Sequence, residues 1–211
     1  MVMITQFSTT YATGLYNSTY KLINVLTLFY TIYSAVIFPV MSKLFKQGQD
    51  MLRLSFVKSI KYLSMITIPI AVATFFYAGD VIYLCYGNQY ADADSVLKIL
   101  VWTVCFLFIN GACSMILNAS HKETSVTKIY SLAAVFNAGL NLFLIPYFSA
   151  HGAAFATVLT DVLILILEMY MVGKINQLPD RHLIFDLIKI IIASAVMLSL
   201  IHISEPTRLQ L

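Results

Sequence analysis

The chain has 211 residues, 60% hydrophobic and 11% charged, with a mean hydropathy of +0.84. A soluble domain carries about 25% charged residues, so a water-soluble globular fold is excluded; apolar runs of about twenty residues that recur along the chain imply a multi-spanning helical membrane protein. The net charge is +3, but the basic residues are dispersed over the connections between apolar runs, which excludes a nucleic-acid-binding surface.

Residues 1–7 are apolar but too short to span, and with the turn at Ala12-Thr13-Gly14 they make a first segment, 1–14, that reads as the end of a truncated transmembrane helix. Residues 1–11 lack the basic region and small-residue cleavage site of a secretory leader. The first complete span is predicted at 15–41, closed by Phe38-Pro39. A basic connection, 43–61, follows with Lys43, Lys46, Arg53, Lys58 and Lys61; its amphipathic second half, 51–62, is expected to lie along the membrane interface. The second span, 62–77, contains Pro69 and is expected to kink there. Residues 78–95 read as a loop with Asp80, Asp92 and Asp94 and no Lys or Arg.

The third span is predicted at 96–118, followed by a loop, 119–128, with His121, Lys122, Glu123 and Lys128. The fourth and fifth spans, 129–145 and 152–172, are joined by a Pro-Tyr-Phe-Ser-Ala-His-Gly turn. Residues 175–198 read as a cytoplasmic linker and the start of a further span from Phe185, which fades by Ile203 before Glu205-Pro206. The tail, 199–211, reads as non-native and is set aside.

Lys and Arg occur after the first, third and fifth spans and not after the second and fourth. Positive charge marks the cytoplasmic side, so 78–95 and the turn at 147–151 are predicted outside. Tyr16, Tyr20, Tyr77, Tyr83, Tyr86, Tyr90, Trp102 and Tyr147 gather towards the outer ends as an aromatic belt would. Cys85, Cys105 and Cys113 fit no zinc or redox spacing and read as small packing residues. No catalytic residue, metal site or cofactor is assigned.

The polar residues inside spans carry the functional signal. Asn137 and Asn141 are four apart, as are Thr157 and Asp161, so each pair shares a helix face. With Ser149 midway, an antiparallel hairpin matches Asn141 with Thr157 and Asn137 with Asp161; spacing leaves open whether the pairs face each other or a cavity. Counted from Gly152, Asp161 lies about 14 Å into a core about 30 Å thick. An ionisable group at that depth costs at least about 2.5–3.5 kcal/mol on insertion scales; it serves function, or packs as a protonated acid against Asn137. Glu168, seven residues on, either extends a polar track or reaches interfacial water near Lys174.

Lys21, about seven residues inside the first span, either snorkels to the interface or holds a phosphate or diphosphate in a cavity. Asn17 and Asn24 flank it at helical spacing. Asn110, Ser114 and Asn118 form a similar stripe on the third span, where bonding between helices and substrate contact are the two readings. Gly152, Ala153, Ala154 and Ala156 permit close helix approach.

The strings YNSTYKLINVL, VIFPVMSKLF, SIKYL, YGNQYADADSVLKIL and FNAGLNLFLIPYFSAHGAAFATVLTD, in that order over about residues 1–174, resemble the lipid-linked oligosaccharide flippases, the polysaccharide-biosynthesis branch of the multidrug/oligosaccharidyl-lipid/polysaccharide exporter superfamily. The resemblance implies an all-α, polytopic transmembrane bundle at 15–174, the second (C-terminal) of two in an alternating-access transporter. The other bundle would precede residue 1. The implied activity is the flipping of a polyprenyl-diphosphate-linked oligosaccharide across the cytoplasmic membrane for cell-surface polysaccharide biosynthesis, with no enzymatic step. The implied partners are that lipid-linked oligosaccharide, membrane lipids and the N-terminal bundle.

On this reading Lys21, Asn17, Asn24, Asn110, Asn137 and Asn141 are candidates for substrate binding, and Asp161, Thr157 and Glu168 for ion coupling or the cavity wall. Lys21 stands where several members of the family carry a basic residue. A multidrug or cation antiporter of the same superfamily is the alternative. A membrane-embedded saccharide polymerase or ligase is a third class. It would call for a large external loop with catalytic Arg, His or Asp, and the longest external loop, 78–95, has no His or Arg.

Overall fold

A computed structural model describes residues 2–175 and 181–204. They form α1 (Val2–Phe7), α2 (Thr10–Gln47), α3 (Gln49–Phe76), α4 (Ala78–Tyr86), a 3₁₀ turn (Asn88–Tyr90), α5 (Ala93–Ala119), α6 (Glu123–Lys174) and α7 (Arg181–Ser204). Among them α2, α3, α5 and α6 are long and apolar enough to cross a membrane. The architecture is all-α, as the apolar runs predict.

α5 is the axis of the bundle and packs against α6, α2 and α3. Most of it is buried: Val96, Leu97, Leu100, Val104, Phe108, Ala112 and Ile116 belong to one core cluster, and Thr103 and Asn110 are buried among them, while Trp102 is exposed. A helix apolar all round belongs in such an interior. At Gly111 a Cβ would collide with the Tyr30 ring, so this glycine lets α2 close onto α5.

α6 is two helices folded at Ser149, whose φ of 51° and ψ of −125° break the helical run. The arms, 123–148 and 150–174, are antiparallel: Ile129 and Ala133 on the first pack against Ile164 on the second. At Gly152 a Cβ would run into the Leu144 carbonyl, so only glycine allows the arms this close. The predicted five-residue turn is therefore reduced to a one-residue break. Because the second arm runs back, it lies parallel to α5.

Two other expectations are corrected. Residues 51–62 are not an interfacial segment. After the single junction at Gly48 (φ +146°) they run without interruption into α3, where Leu52, Phe56 and Ile60 are core residues. Their apolar face covers the bundle rather than lipid headgroups. The 78–95 loop is mostly helical: α4 buries Ala78 and Ile82, and Asp94 pairs with Lys98 on the first turns of α5 at 2.9 Å.

One face of the middle of α2 is exposed, while Tyr30 and Tyr33 on the other face pack on the bundle. The buried residues of α2 are Ala12, Leu15, Tyr16, Ser18, Thr19 and Ile23 near one end and Met41 near the other. Val25, Leu28, Phe29, Ile32 and Val36 between them are exposed. Pro39 also lies in this helix and supplies no backbone donor. α7 docks on α3, where Lys61 and Asp186 form a half-exposed ion pair at 2.8 Å. Within the set-aside tail, residues 199–204 continue α7, and 205–211 lie outside the described residues, as do 176–180 of the linker.

The hairpin yields two stability predictions. A non-glycine residue in a sparsely populated φ/ψ region stores about 1–3 kcal/mol, so Ser149→Gly should stabilise the detergent-solubilised protein by about 1 kcal/mol after glycine's entropy cost. Gly152→Val should destabilise it by about 1–3 kcal/mol or more, since backbone faces the added atoms. Thermal unfolding of both variants checks the opposite signs.

Candidate functional site

The sequence-predicted polar residues fall into three places. The first is the inside of the α6 hairpin. Asn137 donates through Nδ2 to Thr160 Oγ1 at 2.9 Å and to the Ala156 carbonyl at 3.3 Å. Asn141 donates to Asn137 Oδ1 at 2.8 Å. The predicted rungs, Asn137 with Asp161 and Asn141 with Thr157, are not formed. The arms pair about a point between residues 148 and 149 rather than on Ser149, which moves Asn137 one position along, to Thr160. Thr157 donates to the Ala153 carbonyl, so its contact with Tyr16 at 3.0 Å has the tyrosine as donor. Tyr16 is thus a buried link from α2 to α6 rather than a belt residue. It also stacks on Tyr20, with ring centroids 5.7 Å apart.

The second place is the seam between α5 and the second arm of α6. Asn110 Nδ2 donates to the Asp161 backbone carbonyl at 3.0 Å, and Thr103 stands beside the Asp161 carboxyl. About two helical turns further in, Ser114 Oγ donates to Glu168 Oε1. Having given its hydrogen to Glu168, Ser114 accepts at 3.4 Å from Tyr130 on the first arm. Glu168 has no exposed surface, which corrects the reading in which it reaches interfacial water near Lys174. The α6 hairpin wraps it against α5, and Lys174 instead lies over the Tyr170 ring.

Four buried atoms of this seam lack a hydrogen-bond partner: Thr103 Oγ1, Asn110 Oδ1, Asp161 Oδ2 and Glu168 Oε2. Each such group costs about 1–3 kcal/mol.

The third place is the outer surface of α2. Lys21 is exposed and makes no ion pair with a described residue; Asn24 is exposed and Asn17 half-buried. Lys21 is therefore brought neither to Asp161 nor to Glu168. Asn118, the last of the α5 stripe, lines a cavity of about 400 Å³ with Tyr30, Ser34, Ala35, Phe38, Pro39, Ser114 and Met115.

Sequence reasoning missed Thr103, Tyr16, Tyr30, Tyr130 and Thr160. Thr103 is seven residues before Asn110, a spacing that extends the α5 stripe. The tyrosines come from other helices, and nothing in their local pattern sets them apart from interfacial aromatics. Beside the α6 turn Ser95 Oγ meets His151 Nε2 at 2.8 Å, fixing α5 to the second arm of α6.

A bundle of apolar helices long enough to cross a membrane, with Glu168 sealed between two of them, defines a polytopic membrane protein. The sequence model of a family described as "Polysaccharide biosynthesis protein" matches residues 1–95, and the chain resembles the flippases of polysaccharide biosynthesis. It is 30% identical over 175 residues to the uncharacterized membrane protein MJ1068 of Methanocaldococcus jannaschii, covering 80% of this chain and 34% of that relative. It is similar in fold to a solved structure of the lipid II flippase MurJ in an inward closed conformation, with a TM-score of 0.69 and 16% identity over 97% of this chain and 46% of that one. The chain thus spans about a third of the curated relative and about half of the solved structure.

The hairpin bonds set a prediction. Interhelical hydrogen bonds in membranes average about 0.6 kcal/mol and reach about 1.7. Asn137→Ala, which removes the links to Thr160 and Ala156, should cost towards the upper value, and Asn141→Ala less. A double-mutant cycle on Tyr16→Phe and Thr157→Val, read by thermal unfolding, should give a coupling energy of about 0.6 kcal/mol.

Proposed function

We propose that this chain forms the second of two bundles in a transporter, not an enzyme, that flips a polyprenyl-diphosphate-linked oligosaccharide across the cytoplasmic membrane by alternating access, for cell-surface polysaccharide biosynthesis. The observation that carries the proposal is one stripe on α2. Lys21, Val25, Leu28, Ile32 and Val36 recur at spacings of three and four, and all are exposed. A free ammonium at the outer end of an uncovered aliphatic row is complementary to an amphiphile with an anionic head and a long hydrocarbon tail. The row spans about 22 Å from Lys21 to Val36 at 1.5 Å per residue. The fold likeness to the lipid II flippase supports the same reading.

In this mechanism the exposed middle of α2 faces a central cavity shared with the N-terminal bundle. Lys21 holds the diphosphate as a point charge, with Asn17 and Asn24 beside it. The α5–α6 seam, with Asp161 near mid-membrane, responds to a coupling ion, while Asn137 and Asn141 keep the hairpin rigid as the bundles rock.

The test uses the full-length protein in a strain whose surface polysaccharide depends on it. Hydrogen bonds to charged groups contribute about 1.5–3 kcal/mol, so Lys21→Ala should weaken apparent substrate affinity by about 10- to 100-fold and lower surface polysaccharide. Asp161→Asn should lower it through coupling. Wild-type polysaccharide in both variants would show that these roles are wrong. Drug efflux by the intact protein without polysaccharide export would identify the antiporter instead.

A further inference from the structure

Glu168 combines complete burial, one bonded oxygen and one orphan. Oε1 accepts from Ser114, and Oε2 has no partner. The titratable groups that face it are Tyr130 on the first arm of α6, Tyr30 on α2 and Cys113 on α5. None of them supplies positive charge at neutral pH. α1, which also packs against α6, carries no charged residue. No Lys, Arg or His forms an ion pair with Glu168 among the described residues.

A carboxylate sealed from water without a counter-charge is the costliest state such a group has, and binding a proton removes the charge. Asp161 differs in two ways. It is only half-buried, and it lies beside Thr103 rather than against a cavity wall.

The route to Glu168 is a separate observation. Ser114, which bonds Glu168, is also part of the wall of the 400 Å³ cavity between α2 and α5. Tyr30 lines the same cavity and faces Glu168. The cavity lies towards the end of the bundle that carries Lys43, Lys46, Lys122, Lys128 and Lys174. One hydroxyl therefore stands between the buried acid and a space large enough for water. A serine hydroxyl both donates and accepts, so it passes a proton by accepting on one side and donating on the other.

We infer that Glu168 is a proton-binding site loaded from the cavity between α2 and α5 through the Ser114 hydroxyl. In this step a hydrated proton in the cavity binds the Ser114 oxygen while Ser114 passes its own hydrogen to Glu168 Oε1, leaving a neutral water in the cavity; nothing is oxidised or reduced. The Tyr130 hydroxyl holds Ser114 in place by donating to it. The inference deepens the proposed transport cycle by naming its ion, but proton binding is measured without transport, so the two fail separately.

The test is pH-difference infrared spectroscopy on the full-length protein in proteoliposomes. A carbonyl stretch of a protonated carboxyl should disappear as the pH is raised between about 5 and 9. It should be missing in Glu168→Gln and retained in Asp161→Asn. In Ser114→Ala it should change in frequency, because a hydrogen bond to the carboxyl is lost, and its shift on transfer to heavy water should develop several-fold more slowly. Retention of the full band in Glu168→Gln, a band that does not respond to pH, or unchanged exchange in Ser114→Ala overturns the inference. Loss of the band on adding sodium at constant pH overturns it in favour of a metal cation.

A measurement without variants guards against misfolding. Dicyclohexylcarbodiimide adds to protonated carboxyls, and peptide mass spectrometry of the wild-type protein should find the adduct on Glu168, diminishing as pH rises. No adduct at any pH also overturns the inference.

Discussion

The contact between Gly152 and the Leu144 carbonyl sets the spacing on which the polar interior depends. With no side chain at 152, the two arms of α6 approach backbone to backbone. Asn137 then reaches across to Thr160 and the Ala156 carbonyl. The same closeness narrows the pair enough for α5 to lie along it, with Asn110 bonded to the Asp161 backbone and Ser114 to the Glu168 side chain. A wider hairpin would break these bonds together, in a solvent that offers no substitute partner.

The bundle keeps its charges apart. Two acids are turned inward between α5 and α6, while Lys21 is turned outward on α2. An ammonium and a carboxylate that paired with each other would neutralise one another and leave little for a ligand to bind. They lie on different faces and among different elements: Lys21 on the exposed side of α2, and the acids among α5, the first arm of α6 and, for Glu168, Tyr30 of α2.

Much of the fold was legible in the sequence. Apolar runs located the spans, and the Pro-Tyr-Phe-Ser-Ala-His-Gly segment located the hairpin because only turn-forming residues interrupt its apolar character. The register was off by one residue, since a turn's length depends on backbone angles, here the left-handed φ at Ser149, which composition does not encode. Residues 51–62 were misplaced for a related reason: an amphipathic face looks the same whether it covers a protein core or a lipid surface. Asp161 stood out because a lone acid in an apolar run needs no structure to be noticed. Glu168 was read two ways, because Lys174 six residues on suggests an interface, whereas its surroundings are set by Tyr30, Tyr130 and Ser114 from three other segments.

Pro39 has a consequence beyond the shape of α2. With no amide hydrogen to give, it leaves the carbonyl of Ala35 without its donor one turn earlier, and Ala35 and Pro39 both line the cavity beside Ser114. The wall therefore contains a main-chain acceptor in addition to the Ser34 and Ser114 hydroxyls. Such an oxygen draws water to a surface otherwise dominated by Phe38, Met115 and Tyr30. An imino acid whose ring carries no polar atom thus frees a main-chain acceptor in the helix beside Ser114.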